Sequence, residues 1–159
     1  MNEIPDNPGV VARPPLIYLG ALLAGALLQF ADPVALLPWD LPALARIAIG
    51  IVVALDGVAL MTFAFPMFRR HGTNVQTGLP VNAIITDGPY RFTRNPLYVS
   101  MTLIYAGIAF AADSAWIAGL LVPVLFVIRY GVIAREELYL ERKFGATYLD
   151  YKSRVRRWI

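Results

Sequence analysis

Four apolar runs constrain this chain more than any other feature. They are "PLIYLGALLAGALLQF" at 15–30, "LPALARIAIGIVVALDGVALMTFAF" at 41–65, "PLYVSMTLIYAGIAFAA" at 96–112 and "SAWIAGLLVPVLFVIRYGVI" at 114–133. A helix needs roughly 17–25 mostly apolar residues to cross a bilayer, at about 1.5 Å of rise each. The second and fourth runs meet that length; the first and third stand at its short end and draw on flanking residues. Hydrophobic residues make up 58% of the 159-residue chain, which leaves few charges to cover a water-soluble bundle. The predicted fold is therefore all-α and integral to a membrane, with about four transmembrane helices in one domain over 1–159.

The leader before the first run carries Glu3 and Asp6 against Arg13, and no small-residue cleavage site follows "LLQFAD". The run is expected to be a retained helix and not a secretory signal. With no cysteine in the chain, disulfide, thiolate and Cys-based metal chemistry are excluded. The lone His71 cannot build a histidine-cluster metal site, and no metal is expected.

Charge asymmetry predicts topology. The loop "ADPVALLPWD" holds Asp32 and Asp40 without a base, and the turn at Asp113 also lacks one. The opposite side gathers Arg69, Arg70, Arg91 and Arg94, then Arg129, Arg135, Arg142, Lys143, Lys152, Arg154, Arg156 and Arg157. Positive loops stay in the cytoplasm. Both termini, the loop 66–95 and the tail 134–159 are thus expected at the cytoplasmic face of a bacterial inner membrane. That face should meet anionic lipid and not nucleic acid. In the tail, Leu140, Phe144, Tyr148, Tyr151 and Val155 recur at three- and four-residue steps. The spacing predicts an amphipathic interfacial helix, broken near Gly145.

Polar residues crowd the start of the third run, in "DGPYRFTRNPLYVS". Asn95 suits a helix N-cap and Pro96 the first helical position. A helix N-terminus flanked by Arg91 and Arg94 makes a seat for a carboxylate or phosphate; snorkelling arginines beside an ordinary cap are the structural alternative. Where the fourth run ends, Arg129 and Glu136 are seven apart, as are Tyr130 and Glu137, which puts each pair on one helix face. Glu136 and Glu137 either bridge to Arg94 or Arg135, or meet a cationic ligand group. The two clusters together suit a zwitterion. Asp56, deep in the second run, makes a polar contact to Tyr105 or a helix neighbour, or touches substrate.

"DGPYRFTRNPLY", followed by "EELYLERKFGATYLDYKSRV", resembles the isoprenylcysteine carboxyl methyltransferase and phospholipid methyltransferase superfamily over roughly residues 69–155. Asn82 and Asn95 stand where the isoprenylcysteine enzymes carry histidines, while Asn95–Tyr98 and Glu136–Glu137 follow the phospholipid enzymes. The resemblance implies S-adenosylmethionine as cofactor. It implies a pocket formed by Gln76, Asn82, Ile84, Ile85, Tyr90, Arg94, Asn95 and Pro96. It places Arg129, Glu136 and Glu137 at the cofactor's amino acid end or the substrate head, and a sulfonium beside Tyr90 or Tyr98 would gain cation–π stabilisation. The expected acceptor is a lipid or amphiphile from the bilayer, a phosphatidylethanolamine-type amine foremost. A carboxyl O-methyltransferase, an NADPH-dependent sterol-type reductase (whose tail motif is similar) and a non-catalytic lipid-binding subunit are the alternatives. Tyr148 and Tyr151 are read as packing residues.

Overall fold

The computed structural model describes residues 6–37 and 41–159; Glu3 and Asp40, used above in reading charge, lie outside them. Proline opens two of the helices, where its missing N–H costs nothing. They are α1 (Pro14–Ala31) and α3 (Pro96–Ala111). Between them runs α2 (Ala43–Arg70), which passes through Pro66 and ends five residues beyond the predicted boundary. A proline is tolerated within a membrane helix when local adjustments satisfy the freed carbonyl. Ser114 caps α4 (Ala115–Val127), its Oγ accepting the Ile117 N–H at 3.1 Å. A π-helical turn, Ile128–Ile133, joins α4 without a break to α5 (Ala134–Phe144). Gly145 then turns the chain at a φ of 52°, a conformation that favours glycine, and α6 (Ala146–Arg154) follows. The break predicted at Gly145 is present, but α5 prolongs the fourth membrane helix instead of standing apart from it.

The protein is an all-α integral membrane protein. Three helical stretches are long and apolar enough to cross a bilayer: Pro14–Ala31, Ala43–Arg70 and the continuous Ala115–Phe144. The last is 30 residues long, about 45 Å, so its charged end projects beyond a hydrocarbon layer about 30 Å thick. At 16 residues, α3 is shorter and lies between other helices, with Tyr98, Val99, Tyr105 and Ala109 all buried.

Two packing relationships set the frame. Along the α2–α3 seam the backbones nearly touch: a Cβ on Gly107 would lie 2.5 Å from the Gly50 carbonyl oxygen. Only glycine permits that approach, the device membrane helices use in place of a hydrophobic driving force. On the other side α1 packs on α4, and the Tyr18 hydroxyl hydrogen-bonds Thr102 Oγ1 at 2.8 Å. Tyr18, Tyr98, Tyr105, Ile117, Val124 and Ile128 form the main buried cluster. Leu27, Phe30, Leu44, Phe63 and Val122 remain exposed, as lipid-facing side chains must.

At the end of the bundle away from the 66–95 loop, Asp113 accepts the Leu36 and Leu37 N–H groups, each at 3.1 Å, and pairs with Arg46 at 2.7 Å. Arg46 thus neutralises the turn at Asp113. Asp56 is exposed on α2, and the Tyr105 hydroxyl is buried without a partner, so no bond joins them. Among the described residues there is no strand; one isolated parallel bridge pairs Thr93 with Arg156, and "NAIIT", a candidate extended piece, makes no ladder.

Candidate active site

That bridge is the first sign of how the site is built. After α6 the chain returns alongside the start of α3. Arg94 N–H donates to the Arg156 carbonyl at 2.9 Å, while Thr93 Oγ1 and Asn95 Nδ2 donate to the Arg157 carbonyl at 3.2 and 2.9 Å. Asn95 occupies the N-cap position of α3, but its side chain makes no capping bond. The returning segment offers its amide a carbonyl, and the expected cap is lost to that contact.

Around this junction lies a cavity of about 140 Å³, roughly ten times the space one water needs. The 66–95 loop contributes Gln76, Ile84, Ile85 and Tyr90. The start of α3 contributes Arg94, Asn95, Pro96 and Tyr98, and α5 contributes Glu136, Glu137, Tyr139 and Leu140. Tyr148 and Tyr151 of α6 close the far wall, and Pro8 touches the rim. Ten of the twelve residues singled out from sequence therefore face one space. Asn82 is not among them: it is exposed and braces the loop, its N–H on Thr73 Oγ1 at 2.9 Å and its Nδ2 on the Gly72 carbonyl at 3.1 Å. Arg91 is exposed and does not line the cavity either.

Arg129 is the other departure. It lines a separate groove of about 740 Å³ between α3 and α4, with Val99, Leu103, Leu125, Phe126, Tyr130 and Trp158. The expected seven-residue pairing of Arg129 with Glu136, and of Tyr130 with Glu137, assumed an unbroken α-helix. The π turn at Ile128–Ile133 inserts extra backbone per turn, and one residue of offset rotates the following face by about 100°. The arginine and tyrosine thus face the groove while the glutamates face the cavity.

The two glutamates do different work. Glu137 is buried and bound by three cations. Arg157 grips it with Nε on Oε1 at 2.7 Å and Nη2 on Oε2 at 2.6 Å, Arg94 Nη1 stands at 3.2 Å, and Lys152 Nζ at 3.8 Å. That bond raises the Arg157 guanidinium above its ordinary range. Glu136 has no cationic partner among the described residues, and its Oε1 accepts the Tyr98 hydroxyl at 2.7 Å. Arg94 is 8% exposed, and its Nε is buried without a hydrogen bond. Such an orphaned donor is costly unless a ligand meets it.

Aromatic hydroxyls complete the lining. Tyr151 donates to the Tyr90 carbonyl at 2.8 Å, and the Tyr148 hydroxyl accepts from Arg94 Nη1 at 3.5 Å. Burial raises all three: Tyr148 to about 12, with Tyr90 and Tyr151 higher still, so these walls stay neutral. Tyr148 and Tyr151, packing residues by their sequence spacing, also line the cavity. Sequence reading counts Arg157 only among the bases of the cytoplasmic face and passes over Tyr139, because nothing local in "SRVRRWI" or "EELYLE" announces a partner far away in the chain. Tyr139 accepts the Val81 N–H at 3.1 Å and donates to Asp6 at 2.7 Å. With Arg135 donating to the Gly9 carbonyl at 2.7 Å, it lashes the segment before α1 across α5.

Comparison with known proteins identifies the family. The family model described as phospholipid methyltransferase matches residues 45–147, a stretch that includes most of α2, the loop, α3, α4 and α5. A protein of Haemophilus influenzae (strain ATCC 51907 / DSM 11121 / KW20 / Rd), described as uncharacterized, is 46% identical over 65 residues, which is 40% of this chain and all of that protein. No solved structure matches the chain.

Proposed function

The chain belongs to the phospholipid methyltransferase family, and from that premise we propose that it moves a methyl group from S-adenosylmethionine to the amine of a phospholipid headgroup. The observation that carries this reading is the Glu136 carboxyl group, which lines the cavity, accepts from Tyr98 and has no cation beside it among the described residues.

S-adenosylmethionine supplies a methyl group on a positively charged sulphur, which leaves as a neutral thioether. The residues present fit that group. Arg94, with its unpartnered buried Nε, is the donor for an amino acid carboxylate. Ile84, Ile85 and Leu140 offer apolar wall to a base, and Gln76 and Asn95 offer amides. Tyr90 and Tyr98 present neutral rings to a cation, worth about 0.5–2 kcal/mol. Chemistry then requires the acceptor nitrogen to form its bond to carbon as the carbon–sulphur bond breaks. Alignment in a dry site is the main device for such a displacement.

An ammonium acceptor must shed a proton before or as it attacks, and Glu136 is placed to take it. A carboxylate acceptor needs no base. The cation-free Glu136 therefore favours an amine over the carboxyl group of a prenylated cysteine, as do Asn82 and Asn95 in place of histidines. The acceptor's apolar part fits the α3–α4 groove, whose floor is Val99, Leu103, Leu125 and Phe126. Arg129 at the same groove has no acidic partner among the described residues and suits a phosphate.

Calorimetry on the purified protein tests the cofactor. S-adenosylmethionine or its demethylated product is expected to bind at about micromolar Kd, near 8 kcal/mol, and NADPH is expected not to bind. Binding of NADPH alone would replace this reading with a reductase; binding of neither would leave a lipid-binding subunit. Labelled methyl transfer into phosphatidylethanolamine vesicles, beside a prenylcysteine peptide, tests the acceptor.

A further inference from the structure

The segment ahead of α1 crosses α5, and its root is seated in the π turn. Val11 N–H donates to the Gly131 carbonyl at 3.3 Å, and Val10 packs on the main buried cluster. A Cβ on Gly131 would lie 2.3 Å from the Val11 side chain, so glycine there is what lets the segment lie flat on the helix. Arg135 Nη1 holds the Gly9 carbonyl at 2.7 Å.

Beyond Gly9 the segment is held differently. Gly9 has a φ of 58°, a conformation that favours glycine. The next residue towards the tip, Pro8, is buried and lines the active-site cavity, with no N–H to offer a ligand. The tip is tied by Asp6, whose carboxylate accepts from Lys143 Nζ and the Tyr139 hydroxyl, each at 2.7 Å. The Asp6 and Lys143 side chains are 57% and 27% exposed, and ion pairs open to solvent hold weakly. Tyr139 is buried and also accepts the Val81 N–H at 3.1 Å, so it keeps its hold on the opposite wall when the tip leaves.

We propose that residues Asp6–Gly9 form a strap over the cavity, pivoting at Gly9 and latched by Asp6 on Tyr139 and Lys143, and that unlatching admits and releases the cofactor. A pocket that buries most of its ligand exchanges it only when a wall moves, and such covers often set turnover. The start of α3 and α5 are walls built into the bundle. The 66–95 loop presents Gln76, Ile84 and Ile85 to the ligand. Pro8 is the wall that can leave with the binding surface intact. That the traffic is cofactor rests on the methyltransferase reading above; that the strap covers the cavity does not.

The absence of cysteine lets access be measured without any cofactor. Ile85→Cys places a thiol on the cavity wall of the full chain, with Gln76→Cys as a second reporter, and labelling by a water-soluble maleimide reads entry. Adding Asp6→Ala is expected to speed labelling about tenfold, by loss of a charge-assisted contact. Asp6→Glu, which keeps a carboxylate, is expected to stay near the starting rate. Arg91→Cys, exposed and outside the cavity, should label alike with and without Asp6→Ala. In the cysteine-free chain, Asp6→Ala is expected to release the demethylated cofactor product about tenfold faster, with the melting midpoint unmoved. Labelling of both reporters indifferent to Asp6→Ala overturns the strap. So does faster labelling matched at Arg91→Cys or joined to a lowered midpoint, which marks a loosened fold. Product release indifferent to Asp6→Ala overturns the strap's part in cofactor exchange. Faster labelling in a chain that binds no S-adenosylmethionine upholds the strap and overturns the cofactor reading alone.

Discussion

Arg157 holds Glu137 by two parallel hydrogen bonds of 2.7 and 2.6 Å, and in doing so ties the last segment of the chain to α5. Arg94, at 3.2 Å from the same carboxylate, ties in the start of α3. One buried acid thus joins three pieces of chain: α5, the start of α3 and the last segment. A bidentate arginine–carboxylate pair is among the stronger polar contacts proteins make. Breaking such a pair from one side leaves uncompensated charge behind.

Glu137→Gln is accordingly expected to act on the fold. It strands three cations, and with Arg157 partly exposed the cost is about 2–3 kcal/mol. A thermal melt in detergent should show a lowered midpoint. The double variant with Arg157→Gln should lose less than the sum of the two, because both remove one interaction. A melt unchanged by Glu137→Gln would mean that the carboxylate serves ligand and not fold.

The sequence made the helices legible because apolar length and prolines at helix starts are local signals. The apolar runs 15–30 and 96–112 lie within one residue of the ends of α1 and α3. Gly145 announced its own turn. Most cavity residues were legible too, since the loop and the paired motifs carried them. Three things were not. The π turn at Ile128–Ile133 leaves no trace in periodicity, yet it separates Arg129 from Glu136. The inequality of Glu136 and Glu137 depends on Arg157, twenty residues on and brought back by α6. Arg46 reads as a lone base near the start of an apolar run, and only the packed bundle shows Asp113 beside it.

Topology follows from the same charges and is open to direct measurement. Reporter fusions at Ile159 and within the Asp32–Val34 turn should report opposite faces, with Ile159 cytoplasmic. The Arg46–Asp113 pair neutralises charge on the far side and strengthens the bias. Both fusions reporting one face would break the expected arrangement of four crossings.

The glycine seam makes a prediction about packing. Gly107→Leu places side-chain atoms where the Gly50 carbonyl and Ala54 already stand, and overpacking of a tight core costs about 1–3 kcal/mol or more. Lower yield and a lower melting midpoint are expected. Gly119→Leu, with open space around its Cβ position, should be silent in the same assay.

Arg129 separates acceptor binding from cofactor binding. Because it lines the groove and not the cavity, Arg129→Gln is expected to raise KM for the phospholipid about tenfold, by loss of a charge-assisted contact, and to leave the S-adenosylmethionine Kd within about twofold. A change in cofactor affinity with acceptor KM unmoved would reverse the assignment of the two spaces.

The decisive variant is Glu136→Gln. The amide keeps the shape and can still accept from the Tyr98 hydroxyl, so the melting midpoint should move little. What it cannot do is take a proton. Loss of that role, and of a charge-assisted contact that strengthens in the transition state, is expected to cost about ten- to a hundredfold in transfer rate. Tyr98→Phe removes the hydroxyl that holds the carboxyl group in place and should lose less, with Glu136→Gln in the same chain adding little further, since the two act as a unit. S-adenosylmethionine binding should survive in all three variants, because Arg94 and the loop remain. Labelled methyl transfer into phosphatidylethanolamine, normalised to folded protein by a melt with and without cofactor, reads both properties at once. Full turnover in Glu136→Gln would remove the proposed base and, with it, the reason for preferring an amine acceptor.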